Sequence, residues 1–214
     1  MLTMYKGYQP TRTITIDMMR HGEPEGGVMY RGTKDDPLSE TGWEQMRATL
    51  NSACDLGFQW EKVVCSPLQR CQSFAREAAS TLNIELDVNE GLKELSFGQL
   101  EGMRPVEAWE QYPDLLRKIW SDPINNSAPG GESFGHFADR VGSAMDSLIQ
   151  QPSDKLLLVV HGGVIRAALY NLLKMGASAI FRVDIPYASL TRFQVFLNTD
   201  ETYEASLSFM NGIR

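Results

Sequence analysis

The chain has no run of 18 apolar residues, no charged-then-apolar leader at its N-terminus, and three cysteines among 214 residues. The first two absences leave nothing that reads as a membrane span or a secretion signal. Cys54, Cys65 and Cys71 are an odd trio without a C-x-x-C pair. A disulfide framework is therefore not expected; buried or half-buried thiols in a reducing compartment are, with the cytoplasm as default. Basic residues are in deficit, 20 Lys and Arg against 27 Asp and Glu, a net charge of −7. That balance gives no broad basic face for nucleic acid or an anionic membrane, yet a few arginines turned into one pocket still suffice for a small anion. The three histidines show no i,i+2 or i,i+4 spacing and do not cluster with the cysteines, so neither a metal nor another cofactor is expected. G-x-x-x-x-G-K-[ST] is missing, and the first turn lacks the dinucleotide glycine fingerprint.

What is present is organised around residues 12–22, RTITIDMMRHG. Ile14, Ile16 and Met18 keep a period of two, and the branched residues suit a strand. Met19 points the other way, so this strand is expected to be covered on both faces, as parallel strands are. At its C-terminal edge, where open α/β sheets place their chemistry, stand Arg20, His21 and Gly22.

Down the chain, residues 1–11 read as an extended lead-in, and 22–40 as a functional loop with four glycines. Thr41 and Glu44 predict a capping box for a helix running to about Ala53. WEKVVC (60–65) is a second strand. Ser66, Pro67 and Gln69 predict the start of the helix carrying Arg70. A short strand at 84–88, a helix at 104–119 and a helix at 133–150 follow. KLLLVV (155–160) suits a buried parallel strand and ends in His161-Gly162-Gly163, with a helix behind it. Strands are expected at 180–185, 191–197 and 203–208. Strand and helix alternate without a linker, which predicts a single three-layer α/β domain over 1–214, with a mostly parallel central sheet and helices on both faces.

Two strands thus end in His-Gly, and the same sheet edge receives Arg20 and Arg70. Arginine forks match phosphoryl oxygens, a neutral imidazole can attack phosphorus, and helix N-termini favour anions. The residues point to a phosphate-handling enzyme with His21 as nucleophile and His161 beside it as a second catalytic imidazole, holding charge on the equatorial oxygens. Glu94, in a loop after the third strand, is the best-placed acid for the leaving oxygen. His136 reads as a surface residue or as one standing behind the site. In the glycine-rich loop, Tyr30 and Arg31 are candidates for reading the substrate beyond its phosphate, with ordinary loop surface as the competing reading, and Trp109 is another candidate for which a core role is as good.

The elements MRHGEPEGG (19–27), DDPLSETGWEQM (35–46), CSPLQRC (65–71), LKELSFGQLEGM (92–103), PGGESF (129–134) and VVHGGVIR (159–166), in this order, resemble the histidine phosphatase superfamily, which includes cofactor-dependent phosphoglycerate mutases and many small phosphatases. The resemblance implies a phosphohistidine on His21, with Arg20 and Arg70 on the phosphate, Glu94 as proton donor, His161 as second histidine and the Gly162 N–H as a further phosphate donor. It departs from the family pattern at Pro24 and Gly27, where many members carry a threonine and a phosphate-contacting asparagine, and at Asp17, a position generally apolar.

FGQLEG, YRG and FRVD look most like α-ribazole phosphatases, which dephosphorylate α-ribazole 5′-phosphate in cobalamin lower-ligand assembly. The segment Leu95–Ala128 is shorter than in the mutases and offers only Arg104, Arg117 and Lys118 between 104 and 128. Phosphomonoester hydrolysis is thus expected. The alternatives are a broad-specificity phosphatase, mutase-type transfer and a non-catalytic phospho-ligand binder. The partner expected is a small phosphorylated metabolite, with a homodimer left open.

Overall fold

The computed structural model describes residues 10–212; most of the expected lead-in, residues 1–9, lies outside them. Six strands form one sheet in the order β3-β2-β4-β1-β5-β6. β1 (Arg12–Arg20), β2 (Lys62–Cys65), β3 (Glu85–Val88) and β4 (Lys155–Val160) are parallel. β5 (Leu190–Leu197) runs antiparallel against β1, and β6 (Tyr203–Phe209) against β5. The sheet is therefore mostly parallel, with an antiparallel margin on one side.

Side-chain alternation along β1 builds two cores. Ile14, Ile16 and Met18 face α5 (Phe134–Ile149) and α6 (Gly162–Leu173), packing with Phe137, Val141, Met145, Ile165 and Ala168. Met19 faces the other way, toward α1 (Glu40–Asp55) and α2 (Gln69–Leu82), with Met46, Leu50, Val63, Phe74 and Leu157. Strands buried on both faces read as continuous apolar runs, which is why KLLLVV could be assigned. The odd member of β1 is Asp17, fully buried. It accepts hydrogen bonds from Trp60 Nε1 at 2.8 Å and from Arg192 Nε and Nη2 at 2.8 and 2.7 Å. Arg192 is its register partner across β5, the polar partner across the sheet that a buried carboxylate requires.

Several boundaries differ from expectation. Ser39, not Thr41, caps α1, its side chain accepting from Gly42 N. α2 begins at Gln69 rather than behind a Ser66 cap; the Asp35 carboxylate accepts from Gln69 N at 2.7 Å, a cap delivered from another part of the chain. The helix expected at 104–119 is two, α3 (Pro105–Gln111) and α4 (Pro113–Ser121). Pro113 brings no N–H to continue α3, and Tyr112 before it leaves the helical region at φ −133°. No strand forms at 180–185. The segment holds the end of a short helix, α7 (Ala177–Ile180), then irregular backbone. The edge of β1 is already filled by β5, and the carbonyls of Val183 and Ile185 accept from Arg166 and Arg20 instead. Of the cysteines, Cys65 and Cys71 are buried and Cys54 is exposed.

Candidate active site

Register places the site. Arg20 pairs with Val160 across β1 and β4, and Cys65 with Val159 across β2 and β4. His21 N then donates to Val160 O at 2.8 Å and Ser66 N to Val159 O at 3.1 Å. Three adjacent parallel strands thus end together, delivering His21, His161 and the Ser66–Arg70 turn to one edge. Gly22 lets the α1 start close over this edge, since a Cβ there would stand 2.1 Å from Gly42 O.

The His21 ring is 4% exposed. Its Nδ1 lies 2.7 Å from Gly22 O. A carbonyl only accepts, so Nδ1 carries the proton and Nε2 keeps the lone pair. Burial, then the charges of Arg70 and Arg20, hold the His21 pKa well below 6.5. The imidazole is therefore neutral around pH 7, with a free nitrogen. His161 sits edge-on, ring centroids 5.2 Å apart. It is fully buried, 2.7 Å from Ser66 Oγ through Nε2 and against Cys71 Sγ. Burial and Arg70 push its pKa down as well. Ser66, expected as a helix cap, is in fact the partner of His161.

A cavity of about 230 Å³ opens beside His21. Arg20, Arg31, Arg70 and Tyr187 line it, with Glu94 at one side. Arg70 is 1% exposed and donates to Lys34 O and Gly32 O, both at 2.8 Å. Arg20 donates to Ile185 O and stacks on the Tyr187 ring, 4.0 Å from its centroid. The Nε atoms of both arginines are buried without a hydrogen-bond partner, an arrangement that a native interior seldom tolerates unless a ligand completes it.

Glu94 accepts from Leu95 N at 2.9 Å and from Gly163 N at 3.2 Å. A Cβ on Gly163 would fall 2.1 Å from Glu94 Oε1, so a side chain there would displace the carboxylate. Gly162 opens α6 beside Arg20, whose Nε lies 3.4 Å from the place of a Cβ on that glycine.

The fold brings His21, Arg20, Arg70, Glu94, His161 and Gly162 to one sheet edge. Arg31 and Tyr30, the two candidates from the glycine-rich loop, go to different cavities. Arg31 is 8% exposed, paired with Asp36, and donates to Gly27 O at 2.6 Å inside the His21 cavity. Gly27 adopts φ +72°, a conformation that favours glycine, and a third guanidinium stands where the family's asparagine is missing. Tyr30 leaves that cavity and packs edge-on against Phe97 at 5.2 Å, lining a second cavity of about 230 Å³ next to the first. Trp109 is exposed and lines neither; His136 is exposed, as expected.

Sequence reasoning missed Tyr187, Arg166 and Asp35. Tyr187 lies just beyond the segment misread as a strand; the other two carried no local signal. Among the described residues no group of three or more His, Cys, Asp or Glu is arranged to hold a metal, and no helix is long and apolar enough to cross a membrane.

Comparison with known proteins agrees with this architecture. A bifunctional protein of Mycobacterium tuberculosis is 34% identical over 185 residues, 85% of this chain but 50% of that relative; the chain spans about half the length of such mycobacterial relatives. An uncharacterized phosphatase of Bacillus subtilis, PhoE, is 31% identical over 160 residues, covering 73% of this chain and 76% of its own. The α-ribazole phosphatase of Shigella flexneri superposes with a TM-score of 0.79 at 23% identity, over 93% of this chain and 96% of that one, a likeness of fold. The model of the histidine phosphatase superfamily (branch 1) matches residues 16–202, and the chain belongs to that family of phosphatase- and mutase-type enzymes.

Proposed function

We propose that the protein hydrolyses small phosphomonoesters through a phosphohistidine on His21. The observation that carries this reading is the His21 tautomer, with Nδ1 committed to Gly22 O and Nε2 left as a neutral base beside three guanidiniums. The Nε2 lone pair attacks phosphorus in line as the ester P–O bond breaks, and Glu94 delivers its proton to the leaving oxygen. Glu94 then takes a proton from water, whose oxygen attacks phosphorus. The P–N bond breaks, its electron pair returns to Nε2, and phosphate leaves. Arg20, Arg31 and Arg70 hold the charge that builds on the equatorial oxygens. His161, hydrogen-bonded to Ser66 and fully buried, fixes the ring packing behind the nucleophile, and the Gly162 amide adds to the favourable potential of the α6 N-terminus.

Hydrolysis is favoured over mutase-type transfer by where the lid cations lie. Arg104 is paired with Glu107 and Arg117 with Asp114, both on the exposed surface, and none of these or Lys118 lines the His21 cavity or its neighbour. The substrate favoured by the resemblance is α-ribazole 5′-phosphate. A nucleoside-like leaving group would bring a heteroaromatic ring to the neighbouring cavity, where Tyr30, Phe97 and Trp120 stand. The thiols of Cys54, Cys65 and Cys71 are free, which supports the cytoplasm as the place of action.

The test is single-turnover labelling with a radiolabelled phosphomonoester. Acid-labile, alkali-stable label should form on the parent and be absent from His21→Ala, which should have no measurable turnover. Full activity in His21→Ala would falsify the assignment. For the substrate, kcat/KM on α-ribazole 5′-phosphate should exceed that on 3-phosphoglycerate and simple sugar phosphates at least about tenfold, about 1.4 kcal/mol of transition-state preference. Comparable rates on all would indicate a broad-specificity phosphatase, and isomerised phosphoglycerate with little free phosphate a mutase.

A further inference from the structure

The two cavities are lined in common by Glu94 and Phe97. If Glu94 protonates the leaving oxygen, a step that rests on the hydrolysis proposed above, the scissile bond must lie at this doorway. The phosphoryl group is then on the His21 side, and whatever it is attached to continues into the second cavity. We infer that the second cavity seats the leaving group, and that this group is a flat apolar body joined to the ester oxygen through a short polar neck.

The walls carry the inference. α4 turns Leu116, Ile119 and Trp120, three residues at helical spacing, toward the space, and Tyr30, Phe97 and Phe181 close it from three other segments. The rings stand edge-on to one another, Trp120 to Phe181 at 5.5 Å and Tyr30 to Phe97 at 5.2 Å, so each pair can offer a ring face or a ring edge to a further aromatic group. A cavity of roughly 150 Å³ lined by Leu, Ile and Phe is enough for benzene; about 230 Å³ admits a body somewhat larger than one ring. Ser96, Asn126 and Ser127 also line the space, but most of the wall is apolar, which favours a ring over a polyol or a second phosphate.

A cation also stands toward the doorway. Arg166, on α6, donates through Nη2 to Val183 O at 3.0 Å, while its Nε is buried with no partner. It lines the second cavity, and its Nη1 lies 3.4 Å from the position of a Cβ on Gly162, beside Arg20, which puts the guanidinium on the side of that cavity nearer the phosphoryl group. Oxygens close to the ester bond would meet this donor. Glu132, which also lines the cavity, is already engaged by Arg140 at 2.8 Å. The leaving group is thus expected to carry acceptors near the phosphate.

The test compares 3-phenylpropyl phosphate with propyl phosphate, whose alkoxides are equally poor leaving groups, with p-nitrophenyl phosphate as the gauge of chemistry. On the parent, kcat/KM for the phenylpropyl ester should exceed that for the propyl ester at least about tenfold, the scale expected for burying one ring. Trp120→Ala removes a rim residue that is 42% exposed, and Leu116→Asn makes the wall polar. In at least one of these variants, if folded by circular dichroism, the ratio should fall about fivefold or more. Turnover of p-nitrophenyl phosphate without a phenylpropyl preference overturns this inference and leaves hydrolysis standing, as does a ratio unchanged in both variants. Failure to hydrolyse any of the three esters removes the hydrolysis reading and this one with it.

Discussion

Asp17 and Arg20 stand three residues apart on β1, and both put charge into the protein interior, yet they are treated in opposite ways. Around Asp17 every donor has its acceptor: Trp60 and both forks of Arg192 converge on one carboxylate, and Arg192 also covers the Phe58 ring, 3.8 Å from its centroid. Around Arg20 the count is left open. Arg20 and Arg70 hold their places by donating to backbone carbonyls, and each keeps a buried Nε without a partner. A buried charge with a full set of partners is a structural device. One held by neutral carbonyls, with donors to spare and a cavity in front, is positioned for an anion that is not part of the chain. The mid-strand cluster secures the fold, and the strand end offers a site.

Substitutions at the two places should separate stability from activity. The largest effect is expected at Arg70. Arg70→Met keeps the stem in its packed surroundings and removes the guanidinium, and kcat/KM should fall by about 10⁴, about 5.4 kcal/mol. Thermal melting of the unliganded protein should change little or rise, because a buried cation is gone. Next is Asp17→Asn, which leaves Arg192 without its charge partner and should cost about 3 kcal/mol of unfolding free energy in urea titration. At 10 °C, where the variant stays folded, its kcat/KM should remain within about twofold of the parent. If Asp17→Asn lost activity on the scale of Arg70→Met while still folded, the division between the two clusters would collapse.

A smaller and more selective effect is expected at Glu94. Leu95 N donates to one carboxylate oxygen of Glu94 and Gly163 N to the other, so Glu94→Gln keeps the volume of the side chain and an acceptor for one of the two donors. The proton would be lost. An alkyl ester should then slow by about 10², about 2.7 kcal/mol, and p-nitrophenyl phosphate far less, because a good leaving group needs little protonation. Equal damage to both esters would assign Glu94 to shaping the pocket.

The legible parts of this molecule were those whose cause is local. Apolar strands ending in His21-Gly22 and His161-Gly162 announce a parallel sheet with its chemistry at one edge, and a helix start behind Cys65 brings Arg70 to the same edge. What could not be read was decided by segments far apart. Asp35 caps a helix 34 residues on, and no pattern near Gln69 says so. Ser66 looks like a cap and became the partner of His161 because β2 and β4 are neighbours. Arg31 sits in a glycine-rich stretch that reads as surface; the pairing with Asp36 and the turn at Gly27 carry it inward. The alternation in IFRVDI suits a strand, but β1 had no edge left to offer it. The second cavity draws its walls from at least four separate stretches of chain, and no single stretch advertises it. Pro113 is different: its break between α3 and α4 follows from proline chemistry alone.

The smallest effect concerns protons. His21 and His161 are both held well below 6.5, chiefly by burial and then by Arg70. In the unfolded chain each titrates near 6.5. Above that pH both states are neutral at these positions and the two histidines add no pH dependence. As pH falls through 6.5 the unfolded chain takes up protons that the folded one refuses, so stability is lost toward acid and the loss continues until the folded pKa is reached. Over the unit from pH 6.5 to 5.5 each histidine should contribute about 1 kcal/mol of lost stability. Carboxylates elsewhere also titrate, so the quantity to measure is the difference between parent and variant. Urea titrations at pH 7.5, 6.5 and 5.5 on the parent and on His161→Gln should show the variant losing about 1 kcal/mol less across that last unit. A vanadate or phosphate ion bound between Arg20 and Arg70 should change this further. Its negative charge beside the rings raises their folded-state pKa, so with the anion at saturation the loss ends at a higher pH and the parent should lose less stability between pH 6.5 and 5.5 than the free protein does. If the free protein's stability is as pH-dependent in His161→Gln as in the parent, the second histidine is not held neutral, and the strand-end cluster is less starved of negative charge than its geometry indicates.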